Sequence, residues 1–209
     1  MIYRFVYSQL MRRLKCALLI SLFGLTLTGF SLSEASSPPP AFHDIRINSI
    51  ESYIDLIEPD DPDVIQLAKQ FNSYEQAYRF VSEEIKFVPY VPSGPVKETL
   101  RHRVGSCIGK AALLCSLYRA MGLSQEEVRI VVGIVVTANG MSDHVWIDME
   151  KDGKCLQQDP SGMLGRFGFY DFPGNKYVDR FVMKESFCFN DGHLAIVSQL
   201  NRMRHGAMR

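Results

Sequence analysis

Apolar residues crowd positions 107–121, Cys-Ile-Gly-Lys-Ala-Ala-Leu-Leu-Cys-Ser-Leu-Tyr-Arg-Ala-Met, where only Lys110, Ser116 and Arg119 interrupt. A stretch this long and apolar on all sides predicts a largely buried helix. Gly122 suits the left-handed residue that ends it, and Gly105-Ser106 supplies a turn and an N-cap. The period then changes. Val128, Ile130, Val131, Val132, Ile134, Val135 and Val136 form a β-branched run over 127–137, the composition of a central strand. Residues 138–142 are turn-like. Over 143–150 the chain alternates, with His144, Trp146 and Asp148 on one face and Val145, Ile147 and Met149 on the other.

Asp152-Gly153 closes a hairpin, and its two-residue loop sets a register. Lys151 pairs with Lys154, Glu150 with Cys155, Met149 with Leu156, Asp148 with Gln157 and Ile147 with Gln158. Trp146 then faces Asp159, and His144 lies diagonal to Asp159 on the same face. Diagonal neighbours are about 7–8 Å apart at the backbone, within reach of longer side chains. A slip of one residue would put the two on opposite faces.

Flanking elements are shorter. Asp61-Pro62 opens a helix with an N-cap and a proline at N1. Ser73-Tyr-Glu-Gln76 is a capping box before a second helix through Ile85, whose Phe71, Tyr74, Ala77, Tyr78, Val81 and Ile85 form a core stripe. Pro95 starts a short helix that leads through Arg101-His102-Arg103 to the turn before Cys107; His102, between two arginines, reads as a solvated surface residue. Beyond Asp159, Gly162, Gly165, Gly168 and Gly174 among many aromatics suggest loops and short strands that shape a cleft wall. No Gly-Lys-Ser/Thr follows them, so they are not a phosphate loop. Phe187-Cys-Phe-Asn suggests a further strand and 194–203 a closing helix, followed by a solvated basic tail over 202–209.

The N-terminus reads as an export signal. Met11-Arg-Arg-Leu-Lys is a basic n-region, 16–30 an apolar h-region, and Ser33-Glu34-Ala35 a small-residue cleavage site after Ala35. Residues 1–10 look like an extension ahead of Met11. The apolar run is shorter than the roughly 20 residues a spanning helix needs, although an uncleaved anchor stays open as an alternative. Phe30 rather than Cys follows Leu27-Thr28-Gly29, so the lipoprotein reading fails. Removing 1–35 takes away Arg4, Arg12, Arg13 and Lys15 against Glu34 and moves the formal charge from 0 to −3. That balance carries no basic footprint for nucleic acid. The expected organisation is a signal peptide over 1–35, a linker and N-terminal extension over 36–60 that begins Ser-Ser-Pro-Pro-Pro, and one domain over 61–209. About 170 residues suffice for a single sizeable core. The expected location is periplasmic or secreted, with membrane contact only through the signal segment if it stays uncleaved.

Cys107 at a helix start, His144 on a strand and Asp159 on the next strand supply the parts of thiol acyl-transfer chemistry. Unpaired N–H groups and the positive dipole end of the first helical turn favour thiolate and could hold an oxyanion. Cys107 would attack an acyl carbon, His144 would take its proton and deliver it to the leaving group, and Asp159 would fix the imidazole tautomer. Each residue alone is more often structural: a buried cysteine, a satisfied histidine, a turn aspartate before Pro160. Their joint placement argues for function.

The blocks Gly-Ser-Cys-Ile-Gly-Lys-Ala-Ala-Leu-Leu-Cys-Ser-Leu-Tyr-Arg-Ala-Met-Gly-Leu, Val-Arg-Ile-Val-Val-Gly, His-Val-Trp-Ile-Asp and Asp-Pro resemble the transglutaminase-like superfamily over about 64–159. The resemblance implies an α+β fold with a papain-like/transglutaminase core, its nucleophile-bearing helix packed on an antiparallel sheet. It implies acyl transfer at an amide, by hydrolysis or amine transfer, on a protein or peptide substrate, with a cell-envelope component among the candidates. Cys107, His144 and Asp159 match the family triad, and Trp146 matches the aromatic after the His, read as packing. The family often adds an upstream oxyanion side chain, for which Tyr90 is a candidate. No cofactor or metal is expected, and nothing resembles the calcium sites of animal tissue transglutaminases. Zinc binding by Cys107, His144 and Asp159 is disfavoured because no compact Cys-x-x-Cys or His-x-x-x-His pair supports it.

In an oxidising compartment Cys107 must stay free to work. Cys115, two turns along the helix, reads as inert core, and Cys155 with Cys188 is the pair open to a disulfide. Two functions follow: a thiol hydrolase or acyltransferase, peptidase-like in its preferred form, or a non-catalytic module of the same fold that binds a protein or envelope ligand.

Overall fold

The computed structural model describes residues 50–200. The segment expected to be a signal peptide, the Ser-Pro spacer, Cys16 and the basic tail lie outside the described residues, which fall within one compact unit, Ala41–Arg209. A 3-10 helix, Ile50–Leu56, precedes α1 (Pro62–Ala68) and α2 (Tyr74–Arg79), which continues into a π-turn, Phe80–Glu84. Strand β1 (Lys86–Phe87) follows, then α3 (Val96–His102), β2 (Val104–Gly105) and α4 (Cys107–Ala120). The second half holds β3 (Val128–Thr137), β4 (Gly140–Lys151), β5 (Lys154–Gln158), α5 (Lys176–Phe181), β6 (Val182–Phe189) and β7 (Leu194–Leu200).

The helix ends follow their sequence signals with two departures. The Asp61 carboxylate accepts from the Asp63 and Val64 amides ahead of Pro62, as an N-cap should. Ser73 Oγ accepts from the Gln76 amide at 3.3 Å, but Gln76 Oε1 reaches the Asn72 amide rather than that of Ser73. Ser106 occupies the N-cap position of α4 without making a side-chain cap; its Oγ is buried and has no hydrogen-bond partner among the described residues.

Strands β5-β4-β3-β6-β7 form one antiparallel sheet, so the fold is α+β. The pairs found from Ile147↔Gln158 to Lys151↔Lys154 are those that the Asp152-Gly153 loop predicts. Alternation along β4 splits the interior in two. Val145, Ile147 and Met149 join Val128 and Ile130 under α1, α2 and α4, with Leu56, Val64, Tyr78 and Leu113 in the same core. Trp146 faces the other way, with Val131, Val135 and Cys188 against Tyr177 and Val178 of α5 and Phe172 of the preceding loop. Helix α4 is buried on nearly every side, as its composition requires.

The C-terminal end corrects one expectation. Residues 194–200 form an edge strand, not the start of a closing helix. Leu194 packs on the first core, Ala195 and Val197 pack on the second, and Ile196 is exposed, a period of two rather than 3.6. A second correction concerns cysteine. Cys155 and Cys188 stand on β5 and β6, three strand spacings apart in the sheet, or about 14 Å. Disulfides need Cα atoms within about 7 Å, so this pair cannot close. All four described cysteines are free thiols.

Gly133 ties the sheet to the site, because it pairs with His144 on one side and with Glu185 on the other. A Cβ there would sit 2.2 Å from the Lys184 carbonyl oxygen and 2.9 Å from the Trp146 ring. Gly133→Ala is therefore expected to destabilise the fold by about 2–3 kcal/mol through overpacking. The measure is the urea midpoint at constant m-value; an unchanged midpoint would show that β6 gives way freely.

Candidate active site

Cys107 opens α4, half-buried, with a short parallel pair, β1 and β2, bringing the chain to it. His144 lies on β4, and Asp159 follows the last residue of β5. Both are 1% exposed, and His144 Nε2 donates to Asp159 Oδ2 at 2.9 Å. That leaves Nδ1 as the other ring nitrogen. It is buried and makes no hydrogen bond to a described residue, and Cys107 is the other group whose influence reaches the imidazole. The fold therefore joins His144 to Asp159 by a hydrogen bond and leaves Cys107 as a neighbour that acts on the imidazole.

Electrostatics polarise the pair. Burial alone would strip the proton from His144, but the hydrogen bond with Asp159, the Asp159 charge and the influence of Cys107 overcome it and raise the imidazole pKa to about 9. For Asp159 burial opposes ionisation, yet the His144 hydrogen bond and charge, with Ser161, hold the carboxyl below its ordinary value. Imidazolium and carboxylate thus coexist out of water near neutral pH.

A ring of groups that sequence reading did not single out supports the carboxylate. Tyr177 Oη donates to the same Oδ2 at 3.0 Å, and the Ser161 amide donates to Oδ1 at 2.9 Å. The Tyr177 phenol is pushed far up by burial and by Asp159, so it stays a donor. Gln157 Oε1 accepts from the Tyr177 and Val178 amides, both at 3.1 Å, which anchors the first turn of α5. Tyr78 Oη reaches the Asp159 carbonyl at 3.2 Å and the Phe167 carbonyl at 2.9 Å. A tyrosine 18 residues downstream of a turn aspartate leaves no local signature, and neither does one 81 residues upstream.

Lys110 did leave one, as the single cation in the first two turns of an apolar helix. It is 1% exposed, its stem fills the space beside Gly105, and its Nζ donates to the Ser82 carbonyl at 3.2 Å. Burial pushes its pKa down to about 8, with the Asp159 carboxylate acting against that fall and Arg166 adding to it. A cavity of about 210 Å³ beside Asp159 is lined by Ser82, Glu83, Arg166 and Phe167 among others.

Two expectations change. Tyr90 is 98% exposed on a left-handed residue, φ 64°, and its ring stands in solvent, so it cannot be a site donor. His102 is partly buried rather than solvated, with Nε2 3.1 Å from Glu98 Oε2. Among the described residues no cluster of three or more His, Cys, Asp or Glu could hold a metal ion.

The model of the transglutaminase-like superfamily matches residues 65–155. No curated protein matches the chain. Among solved structures, calcium-bound Legionella pneumophila LapG is 12% identical, with 68% of this chain and 91% of that chain covered at a TM-score of 0.43. A candidate cysteine protease from Cytophaga hutchinsonii is 15% identical, with 73% of this chain and 56% of that one covered at a TM-score of 0.45.

Asp159→Asn is expected to bring the His144 titration, followed by NMR of the ring protons, down from about 9. Burial would then act with far less opposition; a titration that stayed put would mean that the carboxylate is not what holds the proton. The imidazolium stabilises the fold fully below an unfolded value of about 6.5, and that contribution is lost as pH rises through 9. Lys110 runs the other way. Its depressed folded pKa penalises the fold below 8, and the penalty lifts between 8 and 10.5. Lys110→Met should therefore raise stability at pH 7 by on the order of 2 kcal/mol, a gain that shrinks toward pH 10. Urea melts across that range measure it, and a pH-independent difference would contradict the buried-charge account.

Proposed function

We propose that this transglutaminase-like domain is an exported thiol-dependent enzyme that transfers acyl groups from peptide or amide bonds, with hydrolysis as its main outcome. The observation that carries the reading is the buried His144–Asp159 pair, whose imidazole has the Cys107 thiol as its remaining neighbour. A module that only binds a ligand has no use for an imidazolium kept charged to about pH 9 beside a thiol.

The chemistry runs in two halves. Cys107 Sγ, its proton held on His144, attacks the acyl carbon, and the carbonyl electron pair moves onto oxygen. Collapse of that intermediate expels the amine, which leaves with the proton from His144, and a thioester remains on Cys107. Water then gives a proton to His144 and attacks the thioester; the acid departs and the thiol is restored. An amine in place of water would give a new amide. Asp159 keeps Nε2–H bonded throughout, so Nδ1 is the nitrogen that shuttles. The substrate class is protein or peptide, with cell-envelope components as the first to test. Export rests on the basic and apolar pattern of the first 35 residues. Among the described residues no helix is long and apolar enough to cross a membrane.

The test is to trap the acyl-enzyme by incubating the protein with an envelope extract, quenching in acid and mapping peptides by mass. An acyl adduct on Cys107, lost in Cys107→Ala, is the expected result, and its mass identifies the acyl group. His144→Ala should also slow iodoacetamide alkylation of Cys107 at pH 7 by roughly tenfold or more, since the thiol loses its base. No adduct, together with alkylation indifferent to His144, would overturn the enzyme reading and leave the binding module.

A further inference from the structure

Oδ2 of Asp159 carries two donors. His144 Nε2 lies 2.9 Å away and Tyr177 Oη 3.0 Å away, while Oδ1 takes the Ser161 amide at 2.9 Å. Tyr177 is fully buried, and its ring packs against Trp146 of β4 at 5.6 Å and against Phe172 and Phe181, both at 5.2 Å. Hydrogen bonds to the sheet fix the backbone behind that ring. Gln157, two residues before Asp159, accepts the Tyr177 and Val178 amides. Its own Nε2 donates at 3.1 Å to Asp148 Oδ1, and Arg129 Nη2 donates at 3.0 Å to Asp148 Oδ2. The phenol is thus aimed at one oxygen by packing and by main-chain anchors alike. The imidazolium already meets that oxygen, so a second donor there competes with it for the same negative charge.

We propose that Tyr177 is a positioning residue for acyl transfer: by sharing Oδ2 of Asp159 with His144, its O–H loosens the carboxylate's hold on the imidazolium and lets Nδ1 exchange its proton. The inference rests on the acyl-transfer reading above. When the imidazole is neutral, the Asp159 charge is uncompensated and the Tyr177 bond is at its strongest. When the imidazole is protonated, two donors divide that charge. The phenol therefore favours the neutral imidazole, and its loss favours the imidazolium. An imidazolium held too tightly is a poor acid toward a leaving amine, and it is not free to take a proton from water. No proton leaves the phenol in either half of the reaction. The other ionisable groups around the pair are Cys107 and Lys110 of α4, Tyr78 of α2, and Glu83 and Arg166 on the cavity beside Asp159. Tyr177→Phe changes none of them and keeps the ring.

Tyr177→Phe is expected to move the NMR titration of the His144 ring upward from about 9, by about one pH unit. Replacing Tyr177 by 3,5-difluorotyrosine keeps the hydroxyl and strengthens it as a donor, so the titration should move down. That second protein decides the matter even where Tyr177→Phe fails to fold. Phe172→Leu loosens the packing around Tyr177 without removing its hydroxyl; it should lower the urea midpoint and leave the titration in place. With p-nitrophenyl acetate, steady release after the burst of p-nitrophenolate is limited by water attack on acetylated Cys107. The pH midpoint of that release should move in the same directions as the titration. Titrations that stay put or run the opposite way would overturn the role of Tyr177 and leave the acyl-transfer reading standing. Equal shifts in Phe172→Leu would also overturn it, by showing that packing alone acts. So would titrations that move while the release midpoint stays, since the phenol would then act on the pair and not on the reaction. A wild-type protein that gives no burst would overturn both.

Discussion

An ionised carboxylate sealed from water is the constraint around which this molecule is arranged. Asp159 is buried together with its imidazolium partner, and charges removed from water cost several kcal/mol each unless every lone pair is met. The fold meets them from separate parts of the chain: His144 from β4, Tyr177 from α5 and the Ser161 amide from the turn after β5. Tyr78 holds the Asp159 main chain from α2, on the far side of the core. Removal of one member of such a set leaves the others buried and unpaired. The loop over 160–175 and the short helix α5 thus have a reason to be ordered that their own length would not provide. Gln157 ties that helix to β5 by accepting two of its first amides.

The same requirement explains why the sheet tolerates a glycine in its central strand. Gly133 pairs with His144, and its missing side chain lets Lys184 of β6 and the Trp146 ring close over the strand. Trp146 then packs on Tyr177, centroid to centroid 5.6 Å, so the aromatic after the histidine supports the tyrosine that supports the carboxylate. Packing and electrostatics reinforce each other at that point. The Lys110 ammonium is set against them, a cation buried in the helix that begins at Cys107. The charge of Asp159 is part of what keeps it protonated near neutral pH.

What could be read from the sequence was local or periodic. A two-residue Asp-Gly loop fixes the register of β4 on β5, and register alone puts His144 and Asp159 on one face. The buried helix, its Gly122 end and the strand after it follow from composition. What escaped had one of two physical causes. Tyr177 and Tyr78 come to Asp159 from segments far apart in the chain, and no spacing encodes such meetings. Residues 194–200 carry apolar side chains that suit helix or strand alike, and β6 decides by offering an edge to pair with. Ser106 shows a third situation, in which the right residue stands at an N-cap position and its hydroxyl makes no cap.

Cysteine placement bears on how a working thiol could persist in an oxidising compartment. Cys107 and Cys115 are eight residues apart on one helix, a rise of about 12 Å, twice what a disulfide spans. Cys155 and Cys188 are kept apart by two intervening strands. Cys115 is fully buried, its thiol pushed well up by loss of solvent, so it cannot serve as the attacking thiolate. Internal disulfides of Cys107 with Cys115, or of the two sheet cysteines with each other, are thus barred by geometry rather than by reducing chemistry. A protein with free thiols and an export pattern is therefore consistent with itself. The sheet that aligns His144 with Asp159 also holds Cys155 and Cys188 too far apart to join.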